Sequence, residues 1–188
     1  MVLASTDAND DKKIKNMENG TIDKQEVKIS RSYARLGYTK LETAELVNSL
    51  NLLLANLSVH YQKLRNFHWN VKGADFYEIH EKFEDQYNYT KVAVDDVAER
   101  IRVFGQTPFS TMKEFLDNAE IKESGTDLSS SEMVSEIIKD YSLLLESMFK
   151  VVEMSIEHGD SGTEDMIKGF IKTVEKNHWM MTAFSTEK

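Results

Sequence analysis

The sequence predicts an all-α fold: a bundle of four long helices, with a short extra helix in the connection between helices 2 and 3. Three observations point there. Apolar residues recur at three- and four-residue steps through four separate stretches, the pattern of helices that each bury one face. A single Pro in 188 residues leaves those stretches almost uninterrupted. Gly73, Gly105, Gly125 and the Gly159/Gly162 pair fall between the periodic stretches, and only Gly169 lies inside one.

The first helix is expected over residues 40–70, where Leu46, Leu50, Leu53, Leu57, Tyr61 and Leu64 form one stripe that His68 continues. The second is expected over 75–104, with Phe76, Ile79, Phe83, Tyr87, Val94 and Ala98 facing inward. A short helix over 110–118 follows Pro108. The third long helix, over 130–158, opens on Ser129-Ser130-Ser131-Glu132, a capping-box pattern. Its buried face is Met133, Ile137, Tyr141, Leu144, Met148 and Val151. The fourth, over 163–184, opens on the similar Ser161-Gly162-Thr163-Glu164 and buries Met166, Phe170, Val174 and Met181. Such helices hide their stripes by packing on one another. Residues 1–38 lack periodicity and read as a flexible polar tail, leaving 39–188 as the bundle domain.

Composition narrows the function. No Cys is present, which excludes disulfide scaffolds and thiolate metal sites. No apolar run is long enough to span a membrane, and the polar first residues do not resemble a signal peptide, so a cytoplasmic protein is expected. The net charge of −9 is uneven. Residues 1–40 hold eight Lys/Arg against six Asp/Glu, whereas the rest holds 15 against 26. An acidic body repels nucleic acid and raises the local concentration of cations.

Five side chains carry the chemistry: His68, His80, Glu84, Asp95 and Glu99. His80/Glu84 and Asp95/Glu99 are each spaced i, i+4, so each pair lies on one helix face. At about 100° per residue, all four fall within roughly 100° of the second helix. Two imidazoles and three carboxylates are a ligand set for iron, with zinc or manganese as alternatives. His80 and Asp95 are separated by about 22 Å along a straight helix, so the two pairs cannot share an ion within one chain. They meet if a second copy of the helix packs antiparallel about a two-fold axis near Tyr89 and Thr90. An intersubunit metal centre is therefore expected.

The words His68-Trp69-Asn70-Val71-Lys72-Gly73, Ile79-His80-Glu81 and Asp95-Asp96-Val97-Ala98-Glu99-Arg100, with the closing Glu175-Lys176 through Trp179-Met180, resemble the Dps family of miniferritins. The resemblance runs from about residue 40 to 184 and implies a ferritin-like four-helix bundle. It implies a ferroxidase centre with His68, His80 and Glu84 from one subunit and Asp95 and Glu99 from its two-fold partner. It also implies a hollow dodecamer that oxidises Fe(II), preferably with hydrogen peroxide and otherwise with O2, and stores the ferric mineral. Such a protein shields the cell from oxidative damage, and some members coat DNA. One departure is Glu84, where the family usually has Asp.

The remaining features have plainer readings. Lys12, Lys13, Lys15, Lys24 and Lys28 are basic enough to touch phosphates, but Asp7, Asp10, Asp11, Glu18, Asp23 and Glu26 are interspersed, so DNA binding is not favoured. A nucleoid-binding structural protein with a vestigial or structural metal site is the alternative reading. His60 and His158 lack partners in the pattern and read as structural or surface. Glu175-Lys176-Asn177-His178 is a single Glu-x-x-His match, where classical di-iron bundles use two, and reads as helix surface. Asp160, Glu164 and Asp165 suit either helix capping or a pore lining. Trp69 and Tyr87, aromatic neighbours of the ligand set, read as ordinary interface aromatics, with interception of stray oxidising equivalents as the alternative.

Overall fold

The computed structural model describes residues 34–185. A 3-10 turn, Ala34–Gly37, is followed by α1 (Ala44–Asn70), α2 (Phe76–Val103), α3 (Met112–Asn118), α4 (Ser130–Glu157) and α5 (Ser161–Ser185). No strand occurs among the described residues. The helical hairpins α1/α2 and α4/α5 pack together through α1 against α4, and α3 lies on α1. This is the four-helix bundle with a short extra helix that the stripes predict.

The stripes point inward. Leu46, Leu50, Leu53, Leu57 and Leu64 of α1 are buried against Ile79 and Phe83 of α2 and the inward face of α4. Removing these side chains from water is the main force holding the helices, at about 1.5–3 kcal/mol for each large one. Tyr61, Phe76, Tyr87, Val94, Ala98 and Met166, also expected inside, are only partly covered in the single chain.

Helix ends follow local capping. Ser129 and Glu132 form the expected reciprocal box at the start of α4. Thr39 and Glu42 exchange the same pair of bonds (2.7 and 3.3 Å), opening a turn that becomes regular helix only at Ala44 rather than at 40. The short helix starts at Met112 rather than 110, because Thr111 and Glu114 make its box. At α5 the expected Ser161/Glu164 box does not form. Asp160 takes the capping position, accepting from the Thr163 amide (3.3 Å) and hydroxyl, while Glu164 turns outward to Lys168. Asp160 wins because Arg100 of α2 also binds its carboxylate, an ion pair that Ser161 cannot make.

Two buried asparagines anchor the α2–α4 connection. Asn51 accepts from the Phe109 amide (2.8 Å), and Asn56 accepts from the amides of Glu120 (2.8 Å) and Ile121 (3.1 Å). Those amides lie outside regular helix and need such partners once buried. The tail expected over 1–38 falls mainly on residues outside those described. Of its last residues, Tyr38 stacks edge-on against Phe104 and donates to the His158 carbonyl (3.2 Å).

Candidate metal centre

The end of α1 and the start of α2 meet across a loop of five residues, 71–75, in which Gly73 adopts φ +115°. That angle suits glycine and reverses the chain. The reversal stacks the His68 and His80 rings, with centroids 3.8 Å apart and planes inclined by 24°.

Each ring is fixed by the other's backbone. His68 Nδ1 lies 2.8 Å from the His80 carbonyl oxygen, and His80 Nδ1 lies 2.8 Å from the His68 carbonyl oxygen. A carbonyl only accepts, so both Nδ1 atoms carry hydrogen. In the neutral rings each Nε2 therefore keeps its lone pair. His68 lies in the last turn of α1, where carbonyls lose their helical partners, so His80 also satisfies an orphan acceptor. Imidazoles held at Nδ1 in this way have tautomer and orientation set for a metal at Nε2.

Glu84 lies one turn beyond His80. The ligand atoms of His68, His80 and Glu84 come within 4.8 Å of one another. Two imidazoles and one carboxylate can hold a divalent ion and leave coordination positions open. His68 is buried, His80 half-buried and Glu84 exposed, so the open side faces outward. Tyr87 donates its hydroxyl to Glu84 Oε1 (3.3 Å), and its ring edge touches His68, with centroids 5.3 Å apart. Desolvation, followed by the Glu84 charge, raises the Tyr87 phenol above its usual range, so it remains a donor at neutral pH. Phe76 stacks on His80 (4.9 Å), and Arg65 lies over the rings of Tyr61 and Trp69.

Within one chain Asp95 and Glu99 do not join this group. Both are exposed on α2, three to four turns farther along. Among the described residues, His68, His80 and Glu84 form the one cluster of three or more such side chains with metal-site spacing.

His60 proves to be tied into the core. It is 1% exposed, and its Nδ1 lies 3.0 Å from Asp140 Oδ2 of α4. Lys63, one turn on, is 4% exposed and donates to Asp140 Oδ1 (2.8 Å). The sequence signal was Asp140 itself, a carboxylate beside Tyr141 on the buried stripe of α4, where a lone charge is unfavourable without a partner. His158 takes a structural role, with Nδ1 2.9 Å from the Met154 carbonyl oxygen. Glu175 of the lone Glu-x-x-His match is exposed.

These features define a helical bundle with a two-histidine, one-carboxylate site at one end of a hairpin. A family model described as a ferritin-like domain matches residues 47–187. General stress protein 20U of Bacillus subtilis is 38% identical over 140 residues, covering 74% of this chain and 97% of that protein. DNA protection during starvation protein 2 of Bacillus anthracis is 39% identical over 140 residues, covering 74% and 96%. The crystal structure of Dps from Staphylococcus aureus has a TM-score of 0.75 at 36% identity, covering 77% of this chain and 97% of that one. A Dps protein from Vibrio cholerae O1, described as a member of a broad superfamily of ferritin-like diiron-carboxylate proteins, has a TM-score of 0.76 at 33% identity, covering 79% and 93%. The chain belongs to the ferritin-like family and, within it, to the Dps proteins.

Proposed function

We propose that this protein is a miniferritin ferroxidase that oxidises Fe(II) and stores the ferric product. The observation that carries the proposal is the stacked His68/His80 pair beside Glu84, with both Nδ1 atoms committed to carbonyls and both Nε2 atoms left for an ion. Neutral imidazole and carboxylate hold Fe(II) without filling its coordination sphere, which leaves room for oxidant. Its likeness to a ferritin-like diiron-carboxylate protein supports iron over zinc or manganese.

In this reading the site is completed between subunits. Asp95 and Glu99 of the partner subunit approach His68, His80 and Glu84 in an antiparallel pair, and symmetry makes two equal centres. The shell is a dodecamer, six of these pairs, as family membership suggests. Two ferrous ions each give one electron to one hydrogen peroxide, which takes two protons and leaves as two waters. No hydroxyl radical is released. O2 serves as the slower oxidant. Tyr87 orients Glu84 through its hydroxyl, and Glu84 uses its extra methylene to reach the ion from an exposed position.

No helix among the described residues is long and apolar enough to cross a membrane, and the proposed site of action is the cytoplasm. DNA contact is not favoured, because the lysines that suggest it are interspersed with acids and the body of the chain is acidic.

The test is anaerobic Fe(II) loading followed by hydrogen peroxide, with ferric absorbance followed in the wild type and a His68→Ala, His80→Ala double variant. Rapid formation of a soluble ferric product that the variant loses supports a working ferroxidase. Equal slow rates in both end that reading and favour the nucleoid-binding alternative.

A further inference from the structure

The centre of the bundle holds a second polar site, chemically unlike the hairpin end. Four atoms there are buried and have no hydrogen-bond partner among the described residues: His60 Nε2, Tyr141 Oη, and the Oε1 and Nε2 of Gln86. They come from three helices, α1, α4 and α2. His60, Gln86 and Tyr141 all line one narrow cavity, with Tyr89 and Thr90 of α2 and Val174 and Asn177 of α5 also at its wall. The His60 and Tyr141 rings are 5.4 Å apart. His60 and Tyr141 are 1% and 3% exposed, and Gln86 is 3% exposed. Polar atoms buried this deeply without partners are costly, so a cluster of them around shared space needs an occupant.

We infer that one ordered water occupies this cavity, linking His60 Nε2, the Tyr141 hydroxyl and the Gln86 amide. Size sets the first limit. The space is about 10 Å³, room for the centre of one water and nothing larger. Charge sets the second. Asp140 already accepts from Lys63 and His60, and burial keeps the Tyr141 phenol protonated, so a cation finds no anionic ligand there. Polarity sets the third. Asp140 accepts from His60 Nδ1, so Nε2 of the neutral ring is an acceptor, while the Tyr141 hydroxyl is a donor. Water donates to the first and accepts from the second. The Gln86 amide supplies a third bond, the usual number for a buried water.

The result is a continuous chain, Lys63–Asp140–His60–water–Tyr141, with Gln86 as a side branch. It joins α1, α4 and α2 at a level two helical turns from His68, through polar contacts alone. It does not depend on any metal, so its failure and that of the ferroxidase reading are separable.

The test is a high-resolution crystal structure of the full chain in its native assembly, for the wild type and Tyr141→Phe. The expected wild-type result is one water at about 2.7–3.0 Å from His60 Nε2, Tyr141 Oη and a Gln86 amide atom. Tyr141→Phe should keep the Asp140–His60–Lys63 contacts and lose the water. Direct bonds among the three side chains, with no density between them, overturn the inference. So does a water that remains unchanged in Tyr141→Phe, or an anomalous peak at about 2.0–2.1 Å from His60 Nε2 after soaking in Zn²⁺. A readout in solution is ¹⁵N NMR of histidine-labelled protein. Hydrogen on His60 Nδ1 and none on Nε2 supports the chain, and the reverse tautomer overturns it.

Discussion

Two histidines on α1, His60 and His68, are only two helical turns apart, yet they sit in opposite surroundings. His68 has a backbone carbonyl at Nδ1 and an outward-facing carboxylate neighbour, Glu84. His60 has a carboxylate at Nδ1, shared with Lys63, and a buried Nε2 without a partner among the described residues, beside a narrow cavity. In both, the Nδ1 partner sets the tautomer. What lies at Nε2 then decides the use: room for the proposed ion at the hairpin end, and a narrow buried cavity at the centre. A residue type on an apolar stripe says little until both of its nitrogens are accounted for.

The largest effect should come from the buried site. Asp140→Ala takes from buried Lys63 its 2.8 Å partner and leaves only Glu136 at 3.9 Å, and should lower unfolding free energy by up to about 3–5 kcal/mol, measured by urea denaturation. His68→Ala should behave in the opposite way, with a small stability change and a loss of Fe(II) affinity beyond the roughly 10–100-fold typical of losing even an outer partner of a ligand. Comparable unfolding losses in the two variants would erase the distinction between these histidines.

A smaller change tests what supports the open site. Tyr87→Phe removes the hydroxyl that Glu84 accepts from, and should weaken metal binding by about tenfold, the lower end for an outer partner. Calorimetric titration checks this, and an unchanged affinity would mean that Glu84 needs no orienting.

The smallest effect is at the helix starts. Hydrogen bonds from Thr39, from Ser110 and Thr111, and from Ser129 hold the carboxyls of Glu42, Glu114 and Glu132 below the usual carboxylate range. A depressed folded value gives stability that is complete above the unfolded value, about 4.3, and is lost as pH falls through the folded one. Melting temperature should therefore decline gently below about pH 4, and Glu132→Gln should flatten part of that decline.

The stripes and caps made the bundle readable because both are local. Leu46 to Leu64 repeat within one helix, and Ser129 meets Glu132 three residues away. The α5 start was misplaced because Asp160 is held by Arg100, 60 residues earlier in the chain. The His68–His80–Glu84 group was legible from spacing and family words, since a hairpin joins its parts. The reciprocal carbonyl bonds were not, because backbone acceptors leave no trace in side-chain identity. The His60–Asp140 pair was missed for a similar reason: its members are 80 residues apart and meet only when α1 packs on α4.

The mutual clasp of His68 and His80 has a kinetic meaning. Each ring is anchored to main chain that the fold already fixes, so the donor atoms wait in position before any ion arrives. Loading then resembles a key entering a cut lock rather than a hand closing on an object. Stopped-flow mixing with Co²⁺, a spectroscopic stand-in for Fe(II), should show one rapid phase proportional to metal concentration, with no slower rearrangement behind it.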